Sequence, residues 1–141
     1  MSTRACYTFI DSDACFTVYV HCDGYPTGAA DKIAAALPLA WELPRFEADE
    51  FGAAFIAGNK SHGGNVRLTT DYNNHADIEY RYEVFMKKVG KKEILWVRAY
   101  TYHSAYTDHS GSFDEKNWVK IIDCAQTEFA AAAKAYEETV K

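Results

Sequence analysis

At 141 residues, 48% apolar and 25% charged, the chain has the size and composition of one globular domain that can bury its own core. Its formal charge of −5 excludes a general nucleic-acid binder, which needs a net basic surface or a basic stripe. No run of about 18 apolar residues is present to span a membrane, so no membrane partner is expected.

Met1-Ser2-Thr3-Arg4 leads straight into an alternating segment and not into a signal sequence, so a cytoplasmic location is expected. Residues 4–10 place Tyr7 and Phe9 on one face and Cys6, Thr8 and Ile10 on the other. After the turn cluster Asp11-Ser12-Asp13-Ala14, residues 15–22 alternate again, with Phe16, Val18 and Val20 against Thr17, Tyr19 and His21. These are two arms of a β-hairpin. A turn centred on Asp13 sets Arg4 opposite Cys22 and beside His21 and Asp23, with one or two residues of slip allowed. The four cysteines, at 6, 15, 22 and 124, form no Cys-x-x-Cys pair and read as reduced, small apolar residues.

Pro26-Thr27-Gly28 opens a short helix predicted over 29–37 and stopped by Pro38. A second helix is predicted over 46–57, acidic in its first turn through Glu47, Asp49 and Glu50 and buried through Phe51 and Phe55. Residues 66–70 read as a short strand. A long hairpin follows, with 77–87 and 93–102 as its arms. Its first arm is expected to put Ile78, Tyr80, Tyr82 and Val84 on one face and Asp77, Glu79, Arg81 and Glu83 on the other. Residues 113–123 fit either a last strand or the start of a helix, because Ser112 and Glu115 make a weak capping box. Residues 127–140 carry a helical stripe of Phe129, Ala133, Tyr136 and Val140.

The expected fold is therefore a single α+β domain over 1–141. An antiparallel sheet of five to six strands carries two or three helices on one face, in the order ββααβββ(β)α.

The candidate binding residues gather at the first turn. Gly24 permits a positive φ and Pro26 sets the helix entry, leaving the N–H groups of Gly28, Ala29 and Ala30 unpaired toward the turn. Arg4 adds a cation, His21 a titratable donor and Tyr25 a ring that could stack. Asp23 either orients His21 or caps the turn. With Arg67 and Arg81 as further cations, the expected ligand is an anionic small molecule such as a nucleotide, and no cofactor is expected. A metal site from His21, Asp23, His75 and Asp77 would require the strand ends to converge. No local His-x-x-x-His spacing supports one, and no metal is expected. Lys87, Lys88, Lys91 and Lys92 cluster at the long hairpin's tip, where charge keeps an exposed turn soluble and blunts edge pairing. No nucleophile elbow or Ser-His-Asp order is visible, and no catalytic residue is assigned.

The opening Ser2-Thr3-Arg4-Ala5, the hairpin, and His21-Cys22-Asp23-Gly24-Tyr25-Pro26-Thr27-Gly28 together resemble a family of small uncharacterised proteins from phages, prophages and bacteria. Family members often open Gly-Thr-Arg-Gly, so Ser2 and Ala5 replace both glycines here. Residues 43–51 and 77–84 are similar to a phage branch of that family, and the resemblance covers roughly residues 2–84. It implies a mobile-element setting without an established activity. The expected function is thus a non-enzymatic, host-directed binding protein, for counter-defence or host takeover, that takes an anionic ligand or a host protein and acts in the host cytoplasm. The alternatives are a small enzyme on a phosphate or amide substrate with His21 as acid–base, and a homo-oligomerising structural module.

Overall fold

The computed structural model describes residues 2–75, 77–102 and 118–140. Strands β1 (Ala5–Ile10) and β2 (Cys15–Val20) form the first hairpin, followed by helices α1 (Pro26–Ala36) and α2 (Ala48–Asn59). The short β3 (Val66–Thr69), the long hairpin of β4 (Tyr80–Val89) and β5 (Lys92–Tyr102), then β6 (Trp118–Ala125) and α3 (Gln126–Thr139) complete the chain. The last strand-or-helix ambiguity resolves as a strand from Trp118 onward, and residues 113–117 lie outside the described residues.

The six strands of the described residues form one sheet in the order β3-β2-β1-β4-β5-β6. The fold is α+β as expected, but the sheet is mixed and not purely antiparallel: β1 and β4 run parallel, Tyr7 beside Tyr82. The physical reason is the long α1–α2–β3 excursion. It lets the chain re-enter beside β1 in the same direction, as a parallel pair requires a long crossover.

The three helices pack on one sheet face. Their core joins Tyr7, Phe9, Val18, Val20, Tyr82, Val84, Leu95, Val97 and Ile122 to Ile33, Phe51, Phe55 and Phe129. Strand alternation sends Cys6, Tyr19, Arg81 and Tyr100 to the opposite, helix-free face. A smaller cluster forms there from Cys6, Tyr19, Ile78 and Trp118.

Ile78 corrects the expected stripe on the first arm of the long hairpin. The strand begins only at Tyr80, and Ile78 is buried on the helix-free face, away from Tyr82 and Val84. The chain linking edge strand β3 to central strand β4 must cross the sheet, and Tyr72 and Ile78 reach this cluster from that crossing segment. Glu79 serves through its backbone: its N–H donates to the Arg4 carbonyl at 2.8 Å, and its carbonyl accepts from Tyr102 N–H at 3.2 Å. A second break in alternation lies in β6. Ala99 faces Ile122 while Tyr100 faces Lys120, so Ile121 is an extra residue. This bulge lets Trp118 and Ile122 join opposite faces despite their even spacing.

The start of α2 is held from a distance. Asp11, in the first hairpin's turn, accepts from the Asp13 and Ala14 N–H groups at 2.7 and 2.8 Å. Its other carboxylate oxygen accepts from Ala48 N–H at 2.7 Å, so it caps a helix lying 37 residues away in the chain. These backbone donors, Ala48 first, hold the Asp11 carboxyl below its ordinary range.

Candidate functional site

The observed register sets Ala5 opposite Val20, one residue away from a turn centred on Asp13. Continued by one step, Arg4 faces His21 and not Cys22. Directly opposed residues share a sheet face, and the two side chains meet: Arg4 Nε lies 3.4 Å from His21 Nδ1. The same Nε lies 3.2 Å from the Asp77 carboxylate, an ion pair, while its N–H is directed at the ring. Because an arginine nitrogen only donates, His21 Nδ1 is the acceptor in this contact. The Tyr19 hydroxyl reaches that same nitrogen at 3.0 Å.

The cluster widens across the helix-free face. His75 stacks on Tyr19 with ring centroids 4.0 Å apart and planes 14° from parallel. Arg67, on the next strand over, holds its guanidinium 5.2 Å from the centre of the Tyr19 ring. Tyr19 is itself buried, while His75 is half-buried and Arg67 exposed, so the assembly steps outward from core to solvent. Burial holds the His75 imidazole below its usual pKa; Asp77 opposes this shift and Arg67 reinforces it.

Further along the same face, Arg81 lies 3.6 Å over the Tyr72 ring, with Tyr100 and Trp118 at 5.1 and 5.4 Å. Tyr100 donates to Glu83 at 2.9 Å, and its own proton is held more tightly, with its pKa raised to about 12 by burial and then by Glu83. Cys6, next to Arg81 in the β1–β4 register, is likewise pushed to about 12, chiefly by burial. It is a packing residue and not a thiolate. All four cysteines are free.

Four of the seven expected binding residues, Arg4, His21, Arg67 and Arg81, thus share the helix-free side. Asp23, Tyr25 and Gly28 belong to the turn leading into α1, where Tyr25 OH donates to Asp23 at 3.4 Å. Among the described residues no hydrogen bond joins His21 to Asp23, so the acid–base pair imagined for them does not form.

The turn differs from the expected one in two ways. Asp23, and not Gly24, takes the left-handed conformation, with φ of 58°. Gly24 is required by proximity: a Cβ there would lie 2.7 Å from Ala5 Cβ and 2.9 Å from the Thr3 carbonyl. The start of α1 is also not an open anion site. Ala29 N–H donates to the Tyr25 carbonyl at 2.9 Å, and Thr27 presents its N–H and hydroxyl to the Glu137 carboxylate of α3. The protein supplies its own anion at that helix end.

His75 and Asp77 do return to the side of His21, but the Arg4 guanidinium contacts both His21 and Asp77, and Asp23 stays with the turn into α1. No group of three or more His, Cys, Asp or Glu side chains suited to a metal occurs among the described residues. No helix among them is long and apolar enough to cross a membrane.

Sequence reading missed Tyr19 as a member of the corner and gave His75 and Asp77 only a conditional part. Tyr19 sits two residues before His21 on an alternating strand, which was enough to place both on one face. Nothing local announced that residues 75–77 would return there. No protein-family model, no curated protein and no solved structure matches the chain.

Proposed function

We propose that the chain is a non-enzymatic binding protein that takes an anionic ligand with a planar ring, of nucleotide type, on the helix-free corner. The carrying observation is Arg4 and Arg67 set around one Tyr19–His75 stack, with the Asp77 carboxylate on Arg4. Two arginines offer planar, multi-donor contacts to phosphate oxygens, and the stacked rings offer a surface for a base. Asp77 is half-exposed and lies on Arg4, so it acts as an internal counter-ion that an incoming phosphate would displace. The resemblance of residues 2–84 to a phage-type family supports a host-directed role for such binding. Against an acid–base enzyme stands the setting of His21: among the described residues no carboxylate hydrogen-bonds it, and its Nδ1 accepts from the Arg4 guanidinium.

Calorimetric titration of the protein with mono-, di- and cyclic nucleotides tests this reading. Saturable binding that weakens roughly tenfold in each of Arg4→Gln and Arg67→Gln is expected. Absence of binding at millimolar nucleotide, or equal binding by both variants, would overturn it.

A further inference from the structure

At the opposite end of the sheet the long hairpin outruns its neighbours. β1 ends at Ile10 beside Phe85, and β6 begins pairing with β5 only at Trp96. The tip, Met86–Val89 with Lys92–Leu95, therefore projects as a two-stranded arm without flanking strands. The arm, the start of α3 and the Leu43-Pro44 connector border an open cavity of about 710 Å³. That volume lies within the range of small-molecule sites. It is lined by Leu43, Pro44, Ile94 and Leu95 together with Lys88, Lys91, Lys92 and Glu93.

The charge at this cavity is out of balance with the rest of the molecule. The chain carries −5 overall, yet three lysines meet one carboxylate here. None of the three forms an ion pair among the described residues. Lysines that served only to blunt an edge would not need to border an apolar hollow. An occupant that satisfies both features has an apolar body against Leu43, Pro44 and Leu95 and one acidic head among the lysines. A purely apolar guest would leave the ammonium groups unused, and a purely ionic one would leave the walls wet.

We propose that this cavity is a binding site for a small amphipathic anion, an alkyl or acyl chain ending in a carboxylate or phosphate. It lies at the far end of the strands from Arg4 and Arg67, so it stands independently of the corner described above.

The test is a titration of the isotope-labelled protein followed by amide chemical shifts. The probes are octanoate, octyl phosphate, neutral octanol and inorganic phosphate. The expected result is saturable movement of the Lys88, Leu95 and Thr127 signals with octanoate or octyl phosphate, whichever headgroup binds tighter naming the source. Octanol and inorganic phosphate should bind at least tenfold more weakly. The combined Lys88→Gln, Lys91→Gln and Lys92→Gln variant should lose roughly tenfold, since three exposed charge contacts are removed, and Leu43→Asp should lose binding altogether. Those four side chains are exposed, so the substitutions leave the core intact; should a variant not fold, the wild-type headgroup comparison decides alone. No saturable movement with either anion, octanol binding as tightly as the anions, or movement centred on Arg4 and Arg67 would each overturn the proposal.

Discussion

Glu137, in the last helix, accepts from the backbone N–H of Thr27 at 2.5 Å and from its hydroxyl at 3.1 Å, across 110 residues of chain. The contact places a carboxylate at the positive end of α1, where Tyr25, the residue before the helix, makes no side-chain cap. Replacing Glu137 by Ala should destabilise the fold by about 1–2 kcal/mol, the usual cost of losing a helix cap. Glu137→Gln, which keeps the acceptor but not the charge, should lose less. Urea denaturation of the two variants measures this, and an unchanged midpoint for Glu137→Ala would show that α1 needs no anion.

Two stacked tyrosines should respond in opposite directions to the same change. Tyr82 and Tyr7 are both fully buried, with ring centroids 4.9 Å apart. The Tyr82 hydroxyl donates to the Gly24 carbonyl at 2.6 Å, tying the central strand to the turn, whereas the Tyr7 hydroxyl has no partner among the described residues. Tyr82→Phe should therefore cost about 1–3 kcal/mol by orphaning a buried carbonyl, and Tyr7→Phe should be neutral or stabilising. Thermal midpoints of the pair decide it; a larger loss for Tyr7→Phe would contradict the assignment.

Gly28 leaves no room for a side chain. A Cβ at that position would lie 2.1 Å from the Asp23 carbonyl oxygen, a backbone atom that cannot swing aside. Gly28→Ala should therefore unfold or strongly destabilise the chain, by about 3 kcal/mol or more. Helix propensity alone predicts the opposite, since Ala is the better helix former by about 1 kcal/mol. Circular dichroism melting separates the two: a higher midpoint would mean that the turn relaxes freely.

Acid should act in two separable windows. His75 is held below the ordinary histidine value of 6.5, chiefly by burial, so the unfolded chain binds the proton first. Stability should be full above that value, fall as pH drops through 6.5, and level off once the folded imidazole also titrates. Asp123 is lowered from 3.8 to about 2, first by its hydrogen bond from Lys120 and then, against burial, by those from Trp96 and Arg98. Its contribution should be present above pH 3.8 and be lost as pH falls toward 2. Difference melts of His75→Phe and Asp123→Asn against the parent chain should each remove one window, and an unaltered pH profile in either would exclude that group.

Local periodicity made much of the fold legible. Alternation in residues 4–10 and 15–22 marked the first hairpin, and the turn at Gly90 marked the second, because each pairing is closed by a short connection. The helical stripes of Phe51 with Phe55 and of Phe129 with Ala133 are in the core as expected. Val140 departs from its stripe and is exposed, since α3 ends at Thr139. Among candidate site residues, Arg4 and His21 were legible together because a hairpin register is nearly determined by its turn. Arg67 and Arg81 could be named as cations but not located.

The amino-acid sequence by itself determined most of the elements, the α+β class and the placing of Arg4 beside His21, all consequences of spacing along a short loop or one periodic segment. Only the tertiary structure decided that β4 lies parallel to β1, that His75 and Asp77 return to the first hairpin, and that Glu137 fills the end of α1. These depend on contacts between segments tens of residues apart. Their pairing is selected by burying the shared core and by satisfying backbone donors, and no local pattern encodes that choice.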